Sequence, residues 1–186
     1  MARRNDKRSR LVAAADKLFH EQGVNTTTLA NIAQLADVPL GNVYYYFKSK
    51  ESIVLAVIDN RRRMIQQQFE ELNAIADSKG RLQSLIRQSS TDCEQTASFG
   101  DALGSLCQEL GKQGGEIAQS ASELMKDILV WTEKQFVALG KTESAKSLAL
   151  NLVSSLQGMS LLTLTFKDPS YMANQTDYLI YWLETV

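Results

Sequence analysis

A chain of 186 residues, 44% of them apolar, can bury a real core as one or two small units, and its ten glycines and two prolines leave long stretches of helix-forming Ala, Leu, Gln, Glu and Lys. Two cysteines far apart in sequence and a single histidine argue against a disulfide framework and a structural zinc site, so no metal and no cofactor is expected. The net charge of −1 hides a split: residues 1–50 carry eight basic and four acidic groups, +4, which leaves −5 for the remainder. A basic N-terminal module suits a polyanion partner, with a solvated basic tail as the plain alternative.

The chain opens on "MARRNDKRSR", a basic arm containing Arg3, Arg4, Lys7, Arg8 and Arg10. The next segment is amphipathic, not an apolar signal core, and no run of eighteen apolar residues occurs, so a cytoplasmic location with no membrane partner is expected. Leu11, Val12, Ala15, Leu18 and Phe19 recur at helical spacing and stop at Gly23. In "NTTTLANIAQLA" Thr28 is placed to cap a short second helix whose Leu29, Ile32, Ala33 and Ala36 turn inward. Asp37 and Val38 make a tight turn, and Pro39 suits the first turn of a third helix.

On that third helix Val43 and Phe47 share one side with Leu40 beside them, Gly41, Asn42 and Tyr45 project to the other, and Tyr44 and Tyr46 flank. Three short helices, the second and third joined by a very short turn and preceded by a basic arm, describe a helix-turn-helix with the third element as recognition helix. A phenol is stiff, donates its O–H to a phosphate oxygen and lays its ring against sugar or a thymine methyl. Gly41 omits a side chain where the helix must approach a groove, and Lys48 and Lys50 add positive charge at its end. Ordinary packing is the competing explanation for the tyrosines, and it is expected to hold in part for Tyr46.

The stretch "TTTLANIAQLADVPLGNVYYYFKSKESIVLAVID" resembles the DNA-binding region of the tetracycline-repressor (TetR) family, whose pattern is T-x-x-x-I-A-x-x-A-G-V-x-x-G-x-Y-x-Y-F-x-x-K-x-x-L. The likeness is dense over roughly residues 8–60. It implies that Thr28, Asn42, Tyr44, Tyr45 and Lys50 sit where the family contacts phosphates or bases, with Phe47 in the core. Together with the basic and groove-facing positions, the residues expected to meet double-stranded operator DNA are Arg4, Thr28, Leu40, Gly41, Asn42, Tyr44, Tyr45, Lys48 and Lys50. Asp37 stands where the pattern usually has glycine, at some cost in strain, and Pro39 stands where a Ser or Thr cap is common.

Beyond the motif, "SKESIVLAVIDNRRRMIQQQFEELNAIAD" reads as one long helix capped by Ser49. Further helices are expected at about 79–94, 101–112 ending at Gly111, 115–139, 143–165 capped by Thr142, and 169–184 opened by Asp168 and Pro169. No strand-like alternation and no repeat of fixed period appears. The fold class is all-α: an N-terminal three-helix helix-turn-helix DNA-binding domain at residues 1–48, then a helical domain at 49–186.

In that second domain "SLALNLVSSLQGMSLLTLTF" mixes small residues with an apolar stripe, and "TDYLIYWLETV" ends on aromatics that need something to bury them. Packing within one chain absorbs part of this surface. The family resemblance adds a homodimer through these two helices, with Ser155, Gly158, Leu162, Tyr178 and Trp182 at the interface. It also implies an effector cavity in this domain; Phe99, Leu103, Cys107, Met125, Ile128, Trp131, Leu162 and Phe166 are the candidate lining, although residues of these types are more often core than pocket. That lining suits a small hydrophobic effector. "FGDALGSLCQEL" resembles a branch with cysteine after the first glycine, but here Asp101 stands there.

No G-x-S-x-G, HExxH, phosphate-binding glycine loop or dinucleotide fingerprint occurs, and no catalytic residue is assigned. The leading expectation is a homodimeric repressor released from a palindromic operator by its effector. The alternatives are a DNA-binding regulator controlled by cysteine oxidation or a protein partner with no small-molecule ligand, and, least favoured, a helical enzyme.

Overall fold

The computed structural model describes residues 2–186, with side chains from Asp6 onward. Ten helices and no strand occur among the described residues, so the fold is all-α. They are α1 (Ala2–Gln22), α2 (Leu29–Leu35), α3 (Leu40–Tyr46), α4 (Lys50–Asn73), α5 (Ser78–Ser89), α6 (Cys93–Phe99), α7 (Ala102–Gln113), α8 (Gly115–Ala138), α9 (Ala145–Phe166) and α10 (Ser170–Thr185).

Two compact units form. The first runs to Met64 and takes in Ser105–Leu124; the second comprises Ile65–Gly104 and Met125–Val186. In the first, α2 packs on α1 and on α3. Leu11, Ala15 and Phe19 of α1, Ile32 and Ala33 of α2, Val43 and Phe47 at α3, and Ile53 and Val57 of α4 are buried, which is the inward set that helical spacing selects. One buried charge is matched: Arg61 Nε of α4 meets Asp16 Oδ1 of α1 at 2.6 Å, while Arg62 Nη2 donates to Ser120 O of α8 at 3.4 Å. Removing either partner of such a buried pair strands the other charge.

The second unit is organised on α9, which packs against α6 and α10, with α10 also lying on α5. Its core includes Leu82, Leu85, Ile86, Phe136, Leu152, Met159, Met172, Leu179 and Leu183. Phe69 and Trp131 stack with ring centroids 5.0 Å apart and planes 3° from parallel. On length and composition α9 is apolar enough to cross a membrane, but Ala145, Ala149, Leu152, Leu156, Met159 and Thr163 form a buried face in this unit, as in the core helix of a folded domain.

Three local expectations change. The helix expected over about 79–94 is two helices, because the hydroxyls of Ser90 and Thr91 bond back to Arg87 O (3.0 and 3.3 Å) and Asp92 starts α6 by accepting from Gln95 N. Short polar side chains offer the backbone partners that compete with helix propagation. The cap of α9 is Ser144, not Thr142. Finally, α7 continues past Gly111 to Gln113 and stops at Gly114, whose φ of +73° ends the helix.

Candidate nucleic-acid interface

Thr28 starts α2 with extended backbone (φ −105°, ψ 160°) and makes a reciprocal cap with Asn31: its Oγ1 accepts the Asn31 N–H at 3.2 Å, and its own N–H donates to Asn31 Oδ1 at 3.0 Å. Its hydroxyl also donates to Asn31 Oδ1, so the exposed Thr28 side chain serves the cap first.

The end of α2 is a Schellman turn. Asp37 N–H bonds Gln34 O at 3.1 Å, Val38 N–H bonds Ala33 O at 3.0 Å, and Asp37 takes the left-handed conformation expected at this position, φ +49°. Glycine adopts this conformation without penalty; Asp does so at a cost of about 1 kcal/mol or somewhat less. Val38 is buried beneath the turn, and Pro39 follows as the N-cap of α3 with no side-chain cap, so α3 begins at Leu40.

Seven residues make α3, and they divide cleanly. Val43 and Phe47 are buried, while Leu40, Gly41, Asn42, Tyr44 and Tyr45 face solvent, Tyr44 at 50% and Tyr45 at 56% exposure. Tyr46 is half-buried and meets the Tyr45 ring edge-on at 5.1 Å. Leu40, which the helical wheel put beside the core face, is 43% exposed because it occupies the first helical position, where no preceding turn covers it. A Cβ added to Gly41 would meet nothing within 4 Å. Nothing inside the fold therefore requires glycine there, although it disfavours a helix by roughly 0.5–1 kcal/mol relative to alanine.

The flanking cations take different places. Lys48 is exposed, whereas Lys50 Nζ donates to Asn25 O in the α1–α2 loop at 3.1 Å. Ser49 caps α4, its Oγ accepting Ser52 N–H at 3.3 Å, and its hydrogen bond, with help from Glu51's own backbone N–H, holds the exposed Glu51 carboxyl below the usual range. The Arg4 side chain lies outside the described residues.

Three partners at this surface carry no sequence signal. Arg8 lies over the Phe47 ring, 5.2 Å from its centroid. Arg10 Nη2 donates to both the carbonyl and Oδ2 of Asp37, each at 3.0 Å. Glu109 of α7 accepts the Val24 and Asn25 backbone N–H groups. All three join residues distant in the chain, so no local pattern announces them.

The residues proposed for other sites are spread more widely. Of the effector set, Cys107 belongs to the first unit and the other seven to the second. Trp131 is core, stacked on Phe69 with its Nε1–H on Asn73 Oδ1 at 3.2 Å. Leu103, Met125 and Ile128 are half-buried. Phe99 is exposed at the end of α6. Leu162 and Phe166 also face solvent, because the buried stripe of α9 passes through Met159 and Thr163 and leaves them on another side. Cys107 Sγ donates to Ala121 O at 3.3 Å.

Of the interface set, Ser155 and Gly158 are half-buried, Leu162 and Tyr178 are exposed, and Trp182 packs edge-on against Phe136 at 6.1 Å. The chain's own core thus covers part of the Trp182 ring.

Residues 11–57 match the family model described as bacterial regulatory proteins, tetR family. The HTH-type transcriptional regulator LmrA of Bacillus subtilis is 26% identical over 167 residues, covering 88% of this chain and 89% of that protein. In fold, the chain is similar to a TetR transcriptional regulator of Chloroflexus aurantiacus (TM-score 0.86, 18% identity, 99% of this chain and 97% of that one). It is also similar to the regulator FadR of Bacillus subtilis in complex with stearoyl-CoA (TM-score 0.64, 19% identity, 92% and 97%). A capped helix, a Schellman turn and a short helix with a buried apolar side and a phenolic outer side coincide with the stretch that the family model matches, and residues 11–57 are the DNA-binding region of a TetR-family transcriptional regulator.

Proposed function

We propose that this regulator is a cytoplasmic, homodimeric repressor that binds a palindromic operator and leaves it when a small hydrophobic effector binds. Residues 1–48 read the DNA, and residues 49–186 dimerise and take the effector. The observation that carries the reading is the outer face of α3, where Gly41, Asn42, Tyr44 and Tyr45 stand exposed on a helix anchored by Val43 and Phe47. A helix presented in this way suits a major groove, with Asn42 offering its amide to a base edge and the phenols their hydroxyls to phosphates.

Support for the dimer comes from exposed residues of α9 and α10 in the second unit. Along α9, Leu150, Ser154, Leu161, Leu162 and Phe166 are exposed, a Cβ on Gly158 would meet open space, and on α10 Tyr178 and Tyr181 are exposed, Tyr181 by 70%. An apolar strip with small residues between large ones is suited to helix packing against a second copy. Two half-sites then bind together far more tightly than one. Support for an effector is the surplus of soft side chains, Leu103, Met125 and Ile128 among them, and the fold shared with a regulator bound to stearoyl-CoA.

Binding the pure protein to fragments of its genome and footprinting the retained DNA tests the reading. A site with two inverted half-sites about one helical turn apart is expected. A single asymmetric footprint removes the dimer, and no footprint at all removes the operator.

A further inference from the structure

We infer that Asp37 holds Arg10 back from the DNA backbone and so sets the affinity of this regulator below what its basic arm would otherwise give. The inference rests on DNA binding by the helix-turn-helix, and it concerns a residue that the fold itself does not favour. Asp37 occupies the left-handed position of the turn between α2 and α3, φ +49°, where glycine is without strain. Its side chain is 97% exposed, so no buried contact explains it.

What Asp37 does contribute is one partner. Arg10 Nη2 donates to the Asp37 carbonyl oxygen and to its Oδ2, each at 3.0 Å, across 27 residues of sequence. A glycine here would keep the carbonyl and lose the charge. Asp37 lies two residues ahead of Pro39, the N-cap of α3, so the guanidinium is tied at the start of the recognition helix, the end that enters a groove and passes between phosphates. At the other end of the same helix Arg8 covers the Phe47 ring. Two arginines from one turn of α1 thus bracket α3, and only one of them is neutralised by a carboxylate.

An exposed ion pair is weak, equivalent to about a two- to fivefold change in an equilibrium constant, so the phosphates of a duplex compete with Asp37 on comparable terms. Taking the carboxylate away leaves Arg10 available for one more phosphate and removes a negative group from the lip of the interface. Binding then tightens, and because a phosphate contact releases counterions, it also becomes more sensitive to salt.

The test uses the full-length chain and a mixed-sequence DNA duplex, since a phosphate contact does not depend on sequence. Asp37→Asn keeps a residue that tolerates the left-handed conformation, and Asp37→Gly removes the strain, so one of the two stays folded on any account. Both should bind about two- to fivefold tighter than wild type. The slope of log affinity against log salt should steepen by about 0.9. In an Arg10→Gln background the same substitutions should lose the steeper salt slope and most of the gain, leaving only the effect of the removed negative charge. Equal or weaker binding by both variants overturns the inference, as do a gain and a salt slope that are undiminished without Arg10. Failure of the wild-type chain itself to bind duplex would instead remove the DNA-binding reading on which the inference stands.

Discussion

Glu109 on α7 accepts the backbone N–H of Val24 at 2.8 Å, joining residues 85 apart in the chain. Its other oxygen accepts Asn25 N–H at 2.7 Å, Gln113 Nε2 donates to Asn25 Oδ1 at 3.0 Å, and Lys50 Nζ holds Asn25 O, so the loop that leads into α2 is gripped from α7 and from α4. Gly23, at φ +85°, makes room for the carboxylate: an added Cβ would stand 3.0 Å from Glu109 Oε2. Two charge-assisted bonds are worth about 1.5–3 kcal/mol each before solvent screening of the exposed one. Glu109→Ala should lower unfolding free energy by roughly 2 kcal/mol in a denaturant titration. Wild-type stability would show that water replaces the carboxylate without loss.

Gly41 separates folding from binding in a single substitution. Because its Cβ position is open and it lies in a helix, Gly41→Ala should raise stability by roughly 0.5–1 kcal/mol while weakening operator binding. Tyr44→Phe and Tyr45→Phe should leave stability unchanged and each weaken binding by about 1 kcal/mol per half-site with little change in sequence preference. Asn42→Ala should alter preference at particular base pairs. Full operator affinity in Gly41→Ala and in both tyrosine variants would take α3 out of the interface.

Deleting residues 2–7 removes Arg3, Arg4 and Lys7 without touching the buried Leu11, Ala15 and Phe19. The salt slope should become shallower by up to about 0.9 for each phosphate that the arm no longer neutralises, with the melting temperature nearly unchanged. An identical slope identifies the arm as a solvated tail.

Gly158→Arg introduces a long cation at a position where a Cβ meets nothing within 4 Å, so the chain should fold and remain monomeric in sedimentation. The monomer should hold a single half-site weakly. A dimer at micromolar concentration places the subunit interface on another face.

Effector release and thiol oxidation make opposite demands. A panel of hydrophobic small molecules should displace the operator complex; a hundredfold preference for the DNA-incompetent form amounts to about 2.7 kcal/mol of coupling. A thiol oxidant should act equally on wild type and Cys107→Ser, because the half-buried thiol is engaged with Ala121 O. Release by the oxidant alone, abolished in Cys107→Ser, makes the protein a redox sensor.

Much of the local geometry of the proposed DNA-reading surface was legible in the sequence, because the interactions that form it are local. Thr28 with Asn31, Ser49 with Ser52, the stop at Gly23 and the left-handed turn at Asp37 all act within five residues, and the period of Val43 and Phe47 alone turns Asn42 and the phenols outward. Only tertiary structure decided the rest. Lys50, a DNA-contact candidate by the family resemblance, also holds Asn25; Arg10 goes to Asp37; and Trp182, a candidate interface residue, packs part of its ring on Phe136. Each of these pairs spans dozens of residues, and their partners are fixed by how helices stack and not by spacing along the chain. The same holds for α9, whose pattern says that two faces are apolar but not which one its own unit buries; the break after Ser89, by contrast, is local, set by the Ser90 and Thr91 hydroxyls on Arg87 O. Local chemistry is written in neighbouring residues; the choice among compatible long-range partners is made only when the chain closes on itself.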